Sequence, residues 1–321
     1  MNGMCRVSFV IPCYRCSQTI KNVLEEIEMT MQGQEKYEFE VVLVNDCSPD
    51  STWEVLKGLA EEKNYVTCLN LARNFGQHAA LMAGFRSVSG DVVVCLDDDG
   101  QTPANEVMKL LDALENGADV VYASYEHKQH SAFRNWGSHL NDRMLCHMLD
   151  KPKDLFVSSY FAAKRFVIDE VSKYSNSYPY VIGLVLRSTR NIVNVPVKHR
   201  EREIGTSGYT MKKLVALWLN GFTAFSIKPL RISTAIGAIF AVGSFAYGIY
   251  TIIKKLVFPN IAIGFSALMT AIVFIGGMLM LMLGLIGEYI GRIYISINNS
   301  PQYVVREEIN RQCLSKENTS D

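Results

Sequence analysis

A chain of 321 residues with 32 basic and 32 acidic side chains has no net charge, which excludes the basic field that grips nucleic acid. With 49% apolar residues it can build a sizeable core, and the apolar excess gathers towards the C-terminus. The start is polar and runs straight into a strand pattern, unlike a secretory signal, so the eight cysteines are expected as thiols in a reducing compartment.

In chain order, Val7 to Ile11 predicts an apolar strand closed by Pro12, and Ser17 to Met31 has helical spacing. Glu40 to Val44 reads as a second strand ending at Asn45-Asp46. Ser51 and Glu54 have the spacing of a capping box for the next helix. Val66 to Leu71 is a third strand and Gly76 to Val88 a helix. Val92 to Leu96 follows as a buried strand tipped by Asp97-Asp98-Asp99, with Thr102-Pro103 opening a helix and Asp119 to Tyr122 a fifth strand. This alternation predicts an α/β domain with a doubly wound, mostly parallel, Rossmann-like sheet. The dinucleotide fingerprint G-x-G-x-x-G is missing after the first strand, where Pro12-Cys13-Tyr14-Arg15 stands instead, and there is no P-loop. Cys13-x-x-Cys16 suggests a redox or zinc half-site, but no second CxxC accompanies it.

Further along, Thr210 to Phe225 sets Leu214, Leu217, Trp218, Phe222 and Phe225 near one helical face behind Lys212 and Lys213. That pattern suits an interfacial helix lying on a bilayer, or a helix packed on the sheet. Ile232 to Ile253 and Gly264 to Ile286 are uncharged apolar runs, each long enough to cross a hydrocarbon core. They predict a two-helix transmembrane hairpin; two buried helices of a soluble protein are the alternative. Basic residues flank the pair more than they occupy its loop, which favours both termini in the cytosol. The division expected is a catalytic domain over 1–209, an interfacial helix over 210–228, the hairpin over 229–295 and a cytosolic tail over 296–321.

The acid-tipped strand carries the chemistry. Alternation along a strand would turn Asp97 and Asp99 to one face and Asp98 to the other. Two carboxylates on one side repel unless a cation lies between them, and Mg2+ or Mn2+ shared with substrate phosphates is the usual solution. Read alone, the run could equally be an acidic loop that solvates a strand end. Strand ends converge on one rim, however, bringing Pro12, Tyr14, Asp46, the Arg73-Asn74-Phe75-Gly76-Gln77 segment, Asp97 and Asp99 together. An acid can accept a base N–H, an aromatic can stack on a base, and a metal can neutralise a pyrophosphate.

The motifs Val44-Asn45-Asp46-Cys47-Ser48-Pro49-Asp50-Ser51-Thr52, Arg73-Asn74-Phe75-Gly76-Gln77 and Asp97-Asp98-Asp99-Gly100-Gln101 resemble family 2 glycosyltransferases of GT-A fold. Arg202-Glu203-Ile204-Gly205-Thr206-Ser207-Gly208-Tyr209 and Gly287-Glu288-Tyr289-Ile290-Gly291-Arg292-Ile293-Tyr294 extend the likeness to the polyprenyl-phosphate glycosyltransferases. The resemblance implies transfer of a single sugar from a UDP- or GDP-sugar to undecaprenyl phosphate, with inversion, at the cytosolic face of the inner membrane. It implies catalytic roles for Asp97, Asp99 and Arg202, and donor binding by Pro12, Tyr14, Asp46, Gln77 and Asp98. Asp97, Asp99 and Gln101 are the metal-side candidates, while Arg134, Arg143 and Ser207 are candidates for the acceptor and its phosphates. Surface solvation is the plainer reading of Arg134 and Arg143. Asn45, Cys16, Gly208 and Ser159 depart from the family's usual residues, which leaves the nucleotide and any catalytic base open. A different cell-surface glycan acceptor, or a non-catalytic nucleotide-sugar or lipid-binding scaffold, are the other readings. Small residues around Gly276-Gly277 would permit close helix packing, so a homo-oligomer, dimer or tetramer, is also expected.

Overall fold

The computed structural model describes residues 4–125, 146, 151–198, 228–257, 264–298 and 300–310. The chain divides into two compact units, Met1–Thr210 with Asn299–Asp321, and Met211–Asn298.

The first unit is built on eight strands: β1 (Cys5–Cys13), β2 (Tyr37–Asn45), β3 (Val66–Leu71), β4 (Val92–Cys95), β5 (Val120–Tyr125), β6 (Phe161–Lys164), β7 (Ile192–Val197) and β8 (Val305–Asn310). They lie in the order β7-β5-β6-β4-β1-β2-β3-β8. Strands β4, β1, β2 and β3 are mutually parallel, and their central residues are apolar on both faces, as a sheet covered by helices on both sides requires. The covering helices are α1 (Ile20–Met31), α2 (Thr52–Glu62), α3 (Gln77–Ser87), α4 (Val107–Glu115), α5 (Arg165–Ser172) and α6 (Val181–Ser188). Ile20, Val23, Leu24, Ile27 and Met31 form the buried stripe of α1, a spacing of three and four that keeps them on one side.

Two local expectations change. Ser51 precedes α2 but makes no side-chain capping bond; Asp50 does that work, its Oδ1 accepting from the Thr52 amide at 3.4 Å and hydroxyl at 2.8 Å. Thr102 and Pro103 lead not into an α-helix directly but into a 3-10 turn at Ala104–Glu106 that precedes α4. A larger difference concerns residues 296–321. Val305–Asn310, expected as part of a tail, adds antiparallel to the free edge of β3. Trp53 Nε1 donates to Glu307 at 3.2 Å, Arg306 donates to the Ala72 carbonyl at 2.9 Å, and Arg86 donates to the Tyr303 hydroxyl at 3.0 Å.

The second unit holds α7 (Lys228–Val257) and α8 (Phe265–Ile297). Both are long and apolar enough to cross a membrane, with candidate spans over Ser233–Tyr250, mean hydropathy 1.4, and Phe274–Ile295, mean hydropathy 1.7. Phe240 and Phe274 meet across the pair with ring centroids 5.6 Å apart.

Helix α3 sits unusually close to the sheet. A Cβ on Gly84 would stand 2.4 Å from Val10 Cγ1 and 3.3 Å from Val44 Cγ2, so only glycine lets the helix reach that depth. Gly84→Ala should therefore lower unfolding free energy by roughly 1–3 kcal/mol through overpacking. Denaturant titration of the purified protein in detergent measures it.

Candidate active site

The chain winds from β1 outward to β2 and β3, then returns to lay β4 on the other side of β1. The C-terminal ends of β1 and β4 therefore flank the point where strand order reverses, which is where open α/β sheets bind ligands. Register then places the side chains. β4 pairs with β1 through Val10 and Cys95, and carrying that offset forward sets Asp98 beside Cys13 and next to Tyr14. Asp98 Oδ2 accepts the Tyr14 amide at 2.9 Å, and the Thr19 hydroxyl donates to the Asp98 carbonyl at 2.6 Å, so the two loops are laced across the crevice.

On its other side β4 pairs antiparallel with β6, Cys95 facing Phe161. Continuing that ladder sets Ser159 opposite Asp97, and the Ser159 hydroxyl donates to Asp97 Oδ2 in a short bond. Gln77, first residue of α3, donates from Nε2 to Asp97 Oδ1 at 3.0 Å. Asp97 is thus clamped from two elements, while Asp99 Oδ1 accepts the Gln101 amide at 3.1 Å beside Gly100, whose φ of +73° suits glycine. Strand β4 ends at Cys95, so the three acids occupy a turn rather than a strand tip. Asp97 and Asp98 still have partners on opposite sides of β4, Ser159 just before β6 and Tyr14 just after β1.

Asp46 is nearly sealed, at 4% exposed. Its Oδ1 accepts the Phe75 amide at 2.7 Å and its Oδ2 the Gly76 amide at 2.8 Å, so it gathers the loop between β3 and α3 against the end of β2. Gly76 makes this possible with φ of +91°. Pro12 is half-buried at the end of β1, and Tyr14 is 45% exposed with the Arg15 guanidinium 5.5 Å from its ring centroid. The structure therefore brings Pro12, Tyr14, Asp46, Gln77, Asp97, Asp98, Asp99 and Gln101 to one rim. Arg134, Arg143, Arg202, Ser207 and the 210–227 part of the expected interfacial helix lie outside the described residues.

Burial pushes the Asp97 carboxyl up to about 6, the Asp99 and Asp98 charges adding to it and the bonds from Ser159 and Gln77 opposing. Burial likewise lifts Asp98 to about 6 against the Tyr14 amide, and raises Asp46 despite its two backbone donors. Burial also raises the Cys13 and Cys95 thiols well above their usual range, which makes them poor nucleophiles. Thr19 is a part of the site that sequence reasoning does not reach, and the Arg73–Gln77 segment expected at the rim is held there by bonds from the Phe75 and Gly76 amides to Asp46.

Comparison with known proteins agrees with this geometry. The pattern of "Glycosyl transferase family 2" matches residues 8–172, and that of "GtrB C-terminal hairpin" matches residues 228–293. The undecaprenyl-phosphate 4-deoxy-4-formamido-L-arabinose transferase of Proteus mirabilis is 32% identical over 98% of each chain. Its counterpart in Photorhabdus laumondii is 32% identical over 95% of this chain and 94% of its own. Among solved structures, glucosyl-3-phosphoglycerate synthase from Mycobacterium tuberculosis in complex with Mn2+, UDP-glucose and phosphoglyceric acid superposes with a TM-score of 0.52. It shows 18% identity and covers 70% of this chain and 79% of its own, a likeness of fold. The molecule is a membrane-associated glycosyltransferase built on a GT-A-type sheet. The chain belongs to glycosyl transferase family 2.

The raised Asp97 carboxyl has a consequence for stability. Its value moves from 3.8 unfolded to about 6 folded, so its stabilising contribution is full below pH 3.8 and lost as pH rises through about 6. Asp97→Asn, which can keep the bonds to Gln77 and Ser159, should stabilise the metal-free protein by about 1 kcal/mol at neutral pH. The gain should vanish towards pH 4, as melting curves in chelator across that range would show.

Proposed function

We propose that this chain transfers one sugar from a nucleotide-diphosphate sugar to undecaprenyl phosphate, or a closely similar polyprenyl phosphate, at the cytosolic face of the inner membrane. The observation that carries this reading is the likeness to undecaprenyl-phosphate transferases along both the acid-lined unit and the apolar hairpin. Two helices of membrane-spanning length suit an acceptor carried in the bilayer.

Asp97, Asp99 and Gln101 offer hard oxygen donors close together; burial is the main cause that raises Asp97, the Asp99 charge adds to it, and a divalent cation would offset both. Bound there, Mg2+ or Mn2+ would supply charge neutralisation for the leaving diphosphate. Gln77 and Ser159 hold Asp97 in a single orientation. Tyr14 offers an exposed ring on which a base can stack, and Asp98 fixes the backbone that carries it. Asp46, tied by its amide to the Cys13 carbonyl, keeps carboxylate lone pairs for a base N–H, while its contacts with the Phe75 and Gly76 amides hold the Arg73–Gln77 loop.

No catalytic base is required. A phosphate monoester has a second pKa near 6, so the acceptor oxygen is largely ionised at neutral pH. What it needs is alignment with the anomeric carbon opposite the departing diphosphate, and one such displacement inverts the configuration. Arg202, Ser207 and Arg134 or Arg143 are assigned to the donor and acceptor phosphates.

Radiolabelled sugar should pass from its nucleotide into butanol-extractable lipid when purified protein, divalent cation and undecaprenyl phosphate are combined. A panel of UDP- and GDP-sugars identifies the donor. Asp99→Ala should cut that transfer by at least about 100-fold with melting temperature preserved. Label appearing only in water-soluble or polymeric glycan would overturn the lipid-phosphate acceptor.

A further inference from the structure

Behind the acidic turn lies a second cluster of ligating atoms. Cys13 ends β1, and Cys16 precedes α1, its carbonyl accepting the Ile20 amide at 3.1 Å. Between them Arg15 takes a left-handed φ of 58°, which folds the loop back so that both thiols face the same side. The Sγ atoms of Cys13 and Cys16 and a carboxylate oxygen of Asp98 all lie within 4.8 Å of one another. Cys13 is fully buried and Cys16 is 4% exposed, whereas Asp98 is half-buried and opens towards the crevice.

The dimensions suit one cation. Zinc–sulfur bonds of about 2.3 Å in a tetrahedral shell set two sulfurs roughly 3.8 Å apart. Closing the trio needs a shift on the order of an ångström along the loop. The donor set is also unlike that of Asp97, Asp99 and Gln101. Two thiolates select soft or borderline ions, whereas an all-oxygen set selects Mg2+ or Mn2+.

We propose that Cys13, Cys16 and Asp98 form a binding site for a thiophilic divalent cation such as Zn2+, and that occupancy slows sugar transfer. Binding releases the two thiol protons to solvent and leaves the fourth position to water from the crevice. It draws the Asp98 carboxylate towards the sulfurs and away from the Tyr14 amide, now 2.9 Å distant. The loop carrying the Tyr14 ring and the turn carrying Asp97 and Asp99 then lose the cross-bond that aligns them. The inhibitory half rests on the transferase reading; the binding half does not.

Cd2+ is the probe for binding, through its thiolate charge-transfer absorption in the ultraviolet. Full-length protein in detergent should show this band, saturating at one equivalent. Cys16→Ala should weaken it by at least about 10-fold and Cys13→Ala likewise, whereas Asp97→Asn should leave it in place. Melting curves confirm that each variant is folded, and the two cysteine variants stand in for one another if either is not. For function, Zn2+ added over excess Mg2+ should depress transfer by the wild type, with chelator restoring it, and leave Cys16→Ala active. A band that persists unchanged in both cysteine variants, or no band at all, overturns the site. Retained binding with equal zinc inhibition of wild type and Cys16→Ala would place inhibition at the Asp97–Asp99 turn and overturn the regulatory role alone.

Discussion

The site depends on where β4 sits. Its four residues pair on one side with β1 and on the other with β6, and both ladders end at Cys95. Just beyond that end, Asp98 meets Tyr14 on the β1 side and Asp97 meets Ser159 on the β6 side. A slip of one residue in either ladder would turn every β4 side chain to the wrong face and separate both pairs. The apolar core is what forbids that slip, because Val93, Val94 and Cys95 are buried on their respective faces. Hydrophobic packing several ångströms below the crevice thus fixes the acids above it.

A second constraint is the interlacing of loops at the rim. The Asp46 amide donates to the Cys13 carbonyl at 3.0 Å, Asn45 Nδ2 donates to Asn70 at 2.9 Å, and the Ser48 hydroxyl accepts the Arg15 amide at 3.1 Å. Loops that would otherwise be mobile are tied to one another by polar groups that burial would penalise if left unpaired. These bonds hold the loops of the rim in one arrangement.

Much of this was legible in the sequence. The apolar runs at β1 to β4 and the helical spacing between them define a doubly wound sheet, and Val66–Leu71 coincides with its strand. The Asp97-Asp98-Asp99 run was legible as three acids directly following an apolar strand, which is where the structure places them. What stayed hidden is non-local. Sequence spacing does not say that β6 runs antiparallel beside β4, so Ser159 stood out only as an unusual residue. Nor did it reveal β8, whose Val305-Arg306-Glu307-Glu308-Ile309-Asn310 is largely polar, as an edge strand facing solvent can be. The acids themselves sit beyond the strand, where alternation no longer governs; their opposed directions come from partners on either side.

The late position of β8 bears on biosynthesis. Strand β3 acquires its outer neighbour from residues that follow both apolar helices in the chain. During translation the nascent catalytic sheet must wait, with one backbone edge unpaired, until the entire hairpin has left the ribosome. An edge of that kind is a template for misassembly. Completion of the soluble fold is therefore coupled in time to synthesis of the membrane segment, and polypeptides that terminate early would carry a sheet one strand short.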